Sequence, residues 1–128
     1  MKQIITLAIA LLIFFGIFKL LSQAPSTGTT TDDQADMILY WGVDCPHCEN
    51  VKKYITDNNL DSKLKINQKE VYYNKQNQNE MLSRAQKCNL DTSNGMGVPF
   101  AYFTSDSTCV LGDQPIIDRL DKLSAGTQ

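Results

Sequence analysis

Histidine is almost absent from this chain. His47 is the only one, and no second Cys-x-x-Cys accompanies the one at Cys45–Cys48. Zinc sites usually take four nitrogen or sulfur ligands and often pair two such clusters. Here Cys45, Cys48 and His47 make three, and Cys88 and Cys109 stand apart. No metal is therefore expected, although a metal-binding module on those three residues stays open as a rival reading. A c-type haem needs a histidine directly after the second cysteine, and Glu49 stands there. Charge of one sign is also lacking. The net charge is −2 and the basic residues are scattered, which offers a nucleic acid no footprint.

Another absence falls near the N-terminus. Gln3 to Phe18 carries no charge, Lys19 interrupts, and Leu20-Leu21 continue the apolar run. Ile4 to Leu21 is 18 residues, enough for a membrane-spanning helix if Lys19 reaches back to the interface. Residues 1–21 are expected to be a signal anchor. A cleaved signal peptide is the alternative, with Ser22-Gln23-Ala24 as small residues before a cut; Pro25 directly after it argues against cleavage. Lys2 lies before the span and Asp32, Asp33 and Asp36 after it. The positive flank stays in the cytoplasm, so the remainder faces an extracytoplasmic, oxidising space. Without cleavage it is membrane-tethered, and with cleavage it is secreted. Four cysteines there permit two disulfides.

Residues 22–36 read as a flexible linker, with Pro25, Gly28 and a run of threonines (Thr27, Thr29, Thr30, Thr31). Its reach of about 20 Å keeps the C-terminal part of the chain near the membrane. Residues 37–128 are left for one domain with a modest core.

Cys45-Pro46-His47-Cys48 organises that domain. Met37 to Trp41 is a short apolar run, read as a buried strand. Val51, Tyr54 and Ile55 then recur at helical spacing, so a helix is expected from Pro46 to Asn58 or Asn59. A Cys-x-x-Cys at a strand-to-helix junction is a redox dithiol pattern. Unpaired N–H groups and the helix dipole favour negative charge at a helix N-terminus, so a Cys45 thiolate there is the natural nucleophile. Pro46 suits the first helical position, where a missing N–H costs nothing. Cys48, one turn on, is placed to resolve a mixed disulfide on Cys45. A structural i, i+3 disulfide is the bland alternative.

Further along, Leu64 to Tyr73 alternates imperfectly and reads as a strand over 66–73. Asn74 to Asn89 reads as a solvated helix start followed by a helix with Met81, Leu82 and Ala85 on one side. Asp91 to Gly97 is turn chemistry. Val98 to Phe103 and Thr108 to Leu111 read as a hairpin around Ser105-Asp106-Ser107. Gly112-Asp113 ends it, and a last helix with Ile116, Ile117, Leu120 and Leu123 inward opens at Gln114 or Pro115.

This β-α-β-α-β-β-α order, with the dithiol after the first strand, resembles the thioredoxin superfamily in its small glutaredoxin-like form. The resemblance covers residues 37 to 124 and implies an α/β thioredoxin-like fold with a mixed four-stranded sheet and flanking helices. It also implies a cis peptide bond at Val98-Pro99, facing the dithiol and exposing the Val98 backbone to a substrate strand. Cys-Pro-His-Cys with Val-Pro resembles DsbA-type disulfide oxidases, in which His47 would stabilise the reduced form and make the disulfide more oxidising. Two departures stand out. There is no room for the helical insertion of those oxidases, and Leu39 occupies the position of their buried acid.

The resemblance implies a membrane-tethered protein thiol–disulfide oxidoreductase. Its redox-active group would be the Cys45–Cys48 disulfide, with no separate cofactor, and its substrates cysteine-containing exported proteins. Oxidation is the expected direction; reduction driven by a membrane redox partner is the alternative. A non-catalytic interaction domain on the same fold is a further one. Cys88 and Cys109 are candidates for a structural disulfide, with two free buried thiols or a second redox relay as alternatives.

Overall fold

The computed structural model describes residues 31–126. The expected anchor, 1–21, and most of the expected linker lie outside them. Among the described residues no helix is long and apolar enough to cross a membrane.

Among the described residues seven main elements occur in chain order: β1 (Met37–Trp41), α1 (Pro46–Asp57), β2 (Ile66–Glu70), α2 (Lys75–Lys87), β3 (Phe100–Phe103), β4 (Thr108–Leu111) and α3 (Asp113–Gly126). The sheet order is β2-β1-β3-β4. β1 and β2 run parallel, β3 lies antiparallel to β1, and β4 antiparallel to β3. The parallel pair requires a crossover helix, and α1 supplies it. This mixed α/β sheet with a Cys-x-x-Cys after its first strand fits a thioredoxin-like fold.

β1 is central and covered on both sides, which explains why its sequence is a continuous apolar run rather than an alternation. Met37 and Leu39 join Val51 and Ile55 of α1 and Ile116 and Leu120 of α3 in one core. Ile38 and Tyr40 join Met81 and Ala85 of α2, with Phe100, in the other. Leu39 is fully buried, a core position of β1.

Several boundaries differ from the sequence reading. α1 stops at Asp57, and Asn59 takes the left-handed conformation (φ 50°) that asparagine tolerates. The strand expected over 66–73 ends at Glu70. The Glu70 carboxylate accepts from the backbone N–H groups of Tyr72, Tyr73 and Asn74 and curls the chain off the sheet. Asn74 caps α2 through the Asn77 N–H at 3.1 Å. β3 starts at Phe100, two residues later than expected, and α3 starts at Asp113, ahead of the expected Gln114 or Pro115.

The linker expected over 22–36 is also shorter than its reading. Asp32–Gln34 is a 3-10 turn and Ala35 is buried. Asp32 accepts from Lys69 Nζ at 2.6 Å, Asn67 Nδ2 at 2.7 Å and an Arg84 guanidinium nitrogen at 3.0 Å. Glu80 completes the network, accepting from Lys69 at 2.6 Å and from the Tyr40 hydroxyl at 2.6 Å. Burial and the Glu80 carboxylate push the Tyr40 phenol well above its ordinary range. These groups are only partly exposed and pair with one another, as half-buried charge requires. The network therefore fastens the chain to the domain before β1 begins.

Candidate redox site

Asp44, in the left-handed region at φ 55°, turns the chain from β1 toward α1. Cys45 is the N-cap of α1 (φ −99°, ψ 103°). Its sulfur accepts the Cys48 N–H at 3.2 Å, filling the role a serine or aspartate oxygen takes at most helix starts. Pro46 occupies the first helical position. A sulfur held there meets the positive end of the helix, the environment that favours a thiolate.

Cys45 and Cys48 are joined as a disulfide, with Cα atoms 5.2 Å apart. The two sulfurs are not equally reachable. Cys45 keeps 7 % of its surface exposed and Cys48 none. An incoming thiolate therefore meets Cys45 first, with Cys48 behind it as leaving group.

The Val98–Pro99 peptide bond is cis, and the Val98 carbonyl oxygen lies 3.7 Å from the Cys45 sulfur. In the dithiol form that carbonyl stands where a thiol S–H could donate. The Gly112 N–H donates to the Pro99 carbonyl at 2.9 Å, so the start of α3 is fastened to the proline loop. Gly112 has φ +94°, a conformation glycine adopts at no steric cost. A groove of about 300 Å³ opens here, lined by His47, Val98, Pro99, Leu111, Gly112 and Asp113.

His47 is exposed, and its Nδ1 lies 3.0 Å from Asp113 Oδ2. The Asn50 amide donates to the same oxygen at 2.8 Å. Asn50 and then His47 hold the Asp113 carboxyl below its ordinary value, at about 2. An ionised carboxylate can only accept, so Nδ1 carries the proton in this contact.

The structure thus gathers Cys45, Pro46, His47, Cys48, Val98 and Pro99 at one end of the sheet. It places Cys88 and Cys109 elsewhere, joined to each other with Cα atoms 6.1 Å apart. Sequence reading misses Asn50 and the role of Asp113. The spacing of Asn50 from His47 is i, i+3, which puts both on one helix face; Asp113 arrives from 66 residues away and leaves no local signal. Among the described residues no group of three or more histidine, cysteine and acidic side chains converges as a metal site would require. No family model, curated protein or solved structure matches the chain.

Proposed function

We propose that the protein is a membrane-tethered, extracytoplasmic thiol–disulfide oxidoreductase that oxidises cysteines of exported proteins. The observation that carries this reading is the Cys45 sulfur, capping a helix and standing 3.7 Å from the Val98 carbonyl. A substrate chain pairing with the Val98 backbone by strand addition brings its cysteine to that sulfur. The substrate thiolate attacks Cys45, a mixed disulfide forms, and the Cys45–Cys48 bond breaks with its electron pair on Cys48. The substrate's second thiolate then attacks its own sulfur in the mixed disulfide and expels Cys45 as thiolate. The substrate leaves oxidised by two electrons, and the pair is left as a dithiol that a membrane partner reoxidises.

His47 is assigned the role of favouring the reduced form, with Asp113 and Asn50 setting its ring orientation. The domain's N-terminal side carries the tether, through the anchor expected at residues 1–21. The second reading is a reductase on the same site, driven by a membrane electron donor. A reduction potential for the Cys45–Cys48 pair separates them: about −120 mV supports the oxidase and about −270 mV the reductase. Cys45→Ser is expected to abolish disulfide formation in a model dithiol peptide on the first reading and disulfide reduction in a model peptide on the second, and a variant that keeps both activities unaltered rejects both readings.

A further inference from the structure

The second disulfide lines an opening of its own. Cys88 ends α2 and Cys109 lies in β4, and neither is fully buried. They border a groove of about 390 Å³ together with Lys87, Leu90 and Ser107. We infer that the Cys88–Cys109 disulfide is a second thiol-exchange site, taking a thiolate from outside the chain.

Three observations carry this. First, the groove gives a visitor access to the bridge, and the exposed Lys87 in its lining brings positive charge that attracts an approaching thiolate. Second, both sulfurs already face acceptors for the reduced state. Cys88 Sγ lies 3.6 Å from the Ser107 carbonyl oxygen and Cys109 Sγ lies 3.6 Å from that of Arg84. Thiol S–H groups formed there have partners without repacking. Third, the chain's own dithiol is on the other side. Cys109 packs against the α2-side core and is level, through Tyr102, with Ile38 near the start of β1. Cys45 lies beyond the far end of β1 and opens α1 on the opposite face. The sheet separates the two pairs, so the thiolate comes from another molecule.

The step balances as ordinary exchange. The visitor's thiolate bonds to one sulfur of the bridge, and the Cys88–Cys109 bond breaks with its electron pair on the other, which takes a proton from water. A second visitor thiolate then attacks the visitor's sulfur in the mixed disulfide and expels the remaining cysteine as thiolate. Two electrons pass from the visitor, released as a disulfide, to Cys88 and Cys109. The visitor's thiol belongs either to a small thiol or to a protein dithiol.

The test uses the full chain carrying Cys45→Ser and Cys48→Ser, so that only the second bridge remains, with far-UV circular dichroism to verify folding. Reduced glutathione is added and Cys88 and Cys109 are alkylated and followed by peptide mass spectrometry. The expected rate rises about tenfold for tenfold more glutathione thiolate and stays flat in sub-denaturing urea. A rate that climbs with urea in step with global unfolding, or no labelling without denaturant, overturns the inference. The same measurement on the unsubstituted chain, read peptide by peptide, covers the case of a variant that does not fold. In a second arm the donor is the reduced chain carrying Cys88→Ser and Cys109→Ser. Faster reduction by it than by glutathione assigns a protein dithiol as the source; slower reduction assigns a small thiol. In the chain carrying Cys45→Ser and Cys48→Ser the glutathione arm involves no Cys45–Cys48 exchange, so its outcome there is independent of the function proposed above.

Discussion

The Asp113 carboxylate lies 3.0 Å from Nδ1 of His47, joining the first turn of α3 to the first turn of α1 across the mouth of the redox groove. Its second partner is Asn50, at 2.8 Å. The contact has a pH signature. Asp113 is held down from 3.8 to about 2. A depressed carboxyl contributes stability that is fully present above its unfolded value and is lost as pH falls through its folded one. Wild type is therefore expected to exceed Asp113→Asn in urea midpoint above pH 3.8, with the gap closing toward about pH 2. A gap independent of pH across that window contradicts the pairing.

The Asp32 network makes a prediction about where the folded domain begins. Asp32→Ala removes the acceptor shared by Lys69, Asn67 and Arg84 and leaves Glu80 as the carboxylate facing both half-buried cations. The expected loss is about 1–3 kcal/mol, read from urea unfolding, with the exchange rate at Cys45 unchanged. Tyr40→Phe deletes the hydroxyl that donates to Glu80 and accepts from Arg84 Nε at 2.8 Å; a cost of about 1 kcal/mol is expected. An Asp32→Ala protein as stable as wild type would mean that this segment is not fastened to the domain.

A third prediction concerns the turn that follows β1. The Tyr72 ring lies directly on Gly42, and a Cβ at that position would overlap it. Gly42 is needed for room, not for a left-handed backbone. Tyr72 is 53 % exposed, so its ring can swing away at modest cost. Gly42→Ala is expected to destabilise by about 1 kcal/mol. In a Tyr72→Ala background the same change should be neutral or slightly stabilising, as a glycine-to-alanine change at a tolerant backbone position is. A double-mutant cycle with no coupling would contradict the stacked arrangement.

Legibility in the sequence tracks the range of the interactions. β1 and α1 are readable because their signals are local: an apolar run, a proline at the first helical position and apolar side chains at helical spacing. The cis bond at Val98–Pro99 is expected only through the resemblance to a known superfamily, since nothing in Gly97-Val98-Pro99-Phe100 by itself excludes a trans bond. The end of β2 escapes the sequence pattern because a side chain decides it: Glu70 captures three N–H groups that would otherwise continue a strand. Asp32 reads as linker because its partners lie 35 to 52 residues away. Asp113 reads as the end of a hairpin, and its part in the site appears only when α3 docks against α1.

The most direct test of the redox assignment separates the two sulfurs. Cys48→Ser leaves Cys45 as the only thiol of the pair, and Cys45→Ser leaves Cys48. Each full-chain variant is offered an aromatic disulfide, with Cys88–Cys109 kept oxidised, and the adduct is located by peptide mass spectrometry. The expected result is a mixed disulfide on Cys45 in Cys48→Ser, formed at least about tenfold faster than any adduct on the fully buried Cys48. Equal rates on the two cysteines, or no adduct on Cys45 while the domain stays folded, would contradict the assignment of Cys45 as the exchanging sulfur.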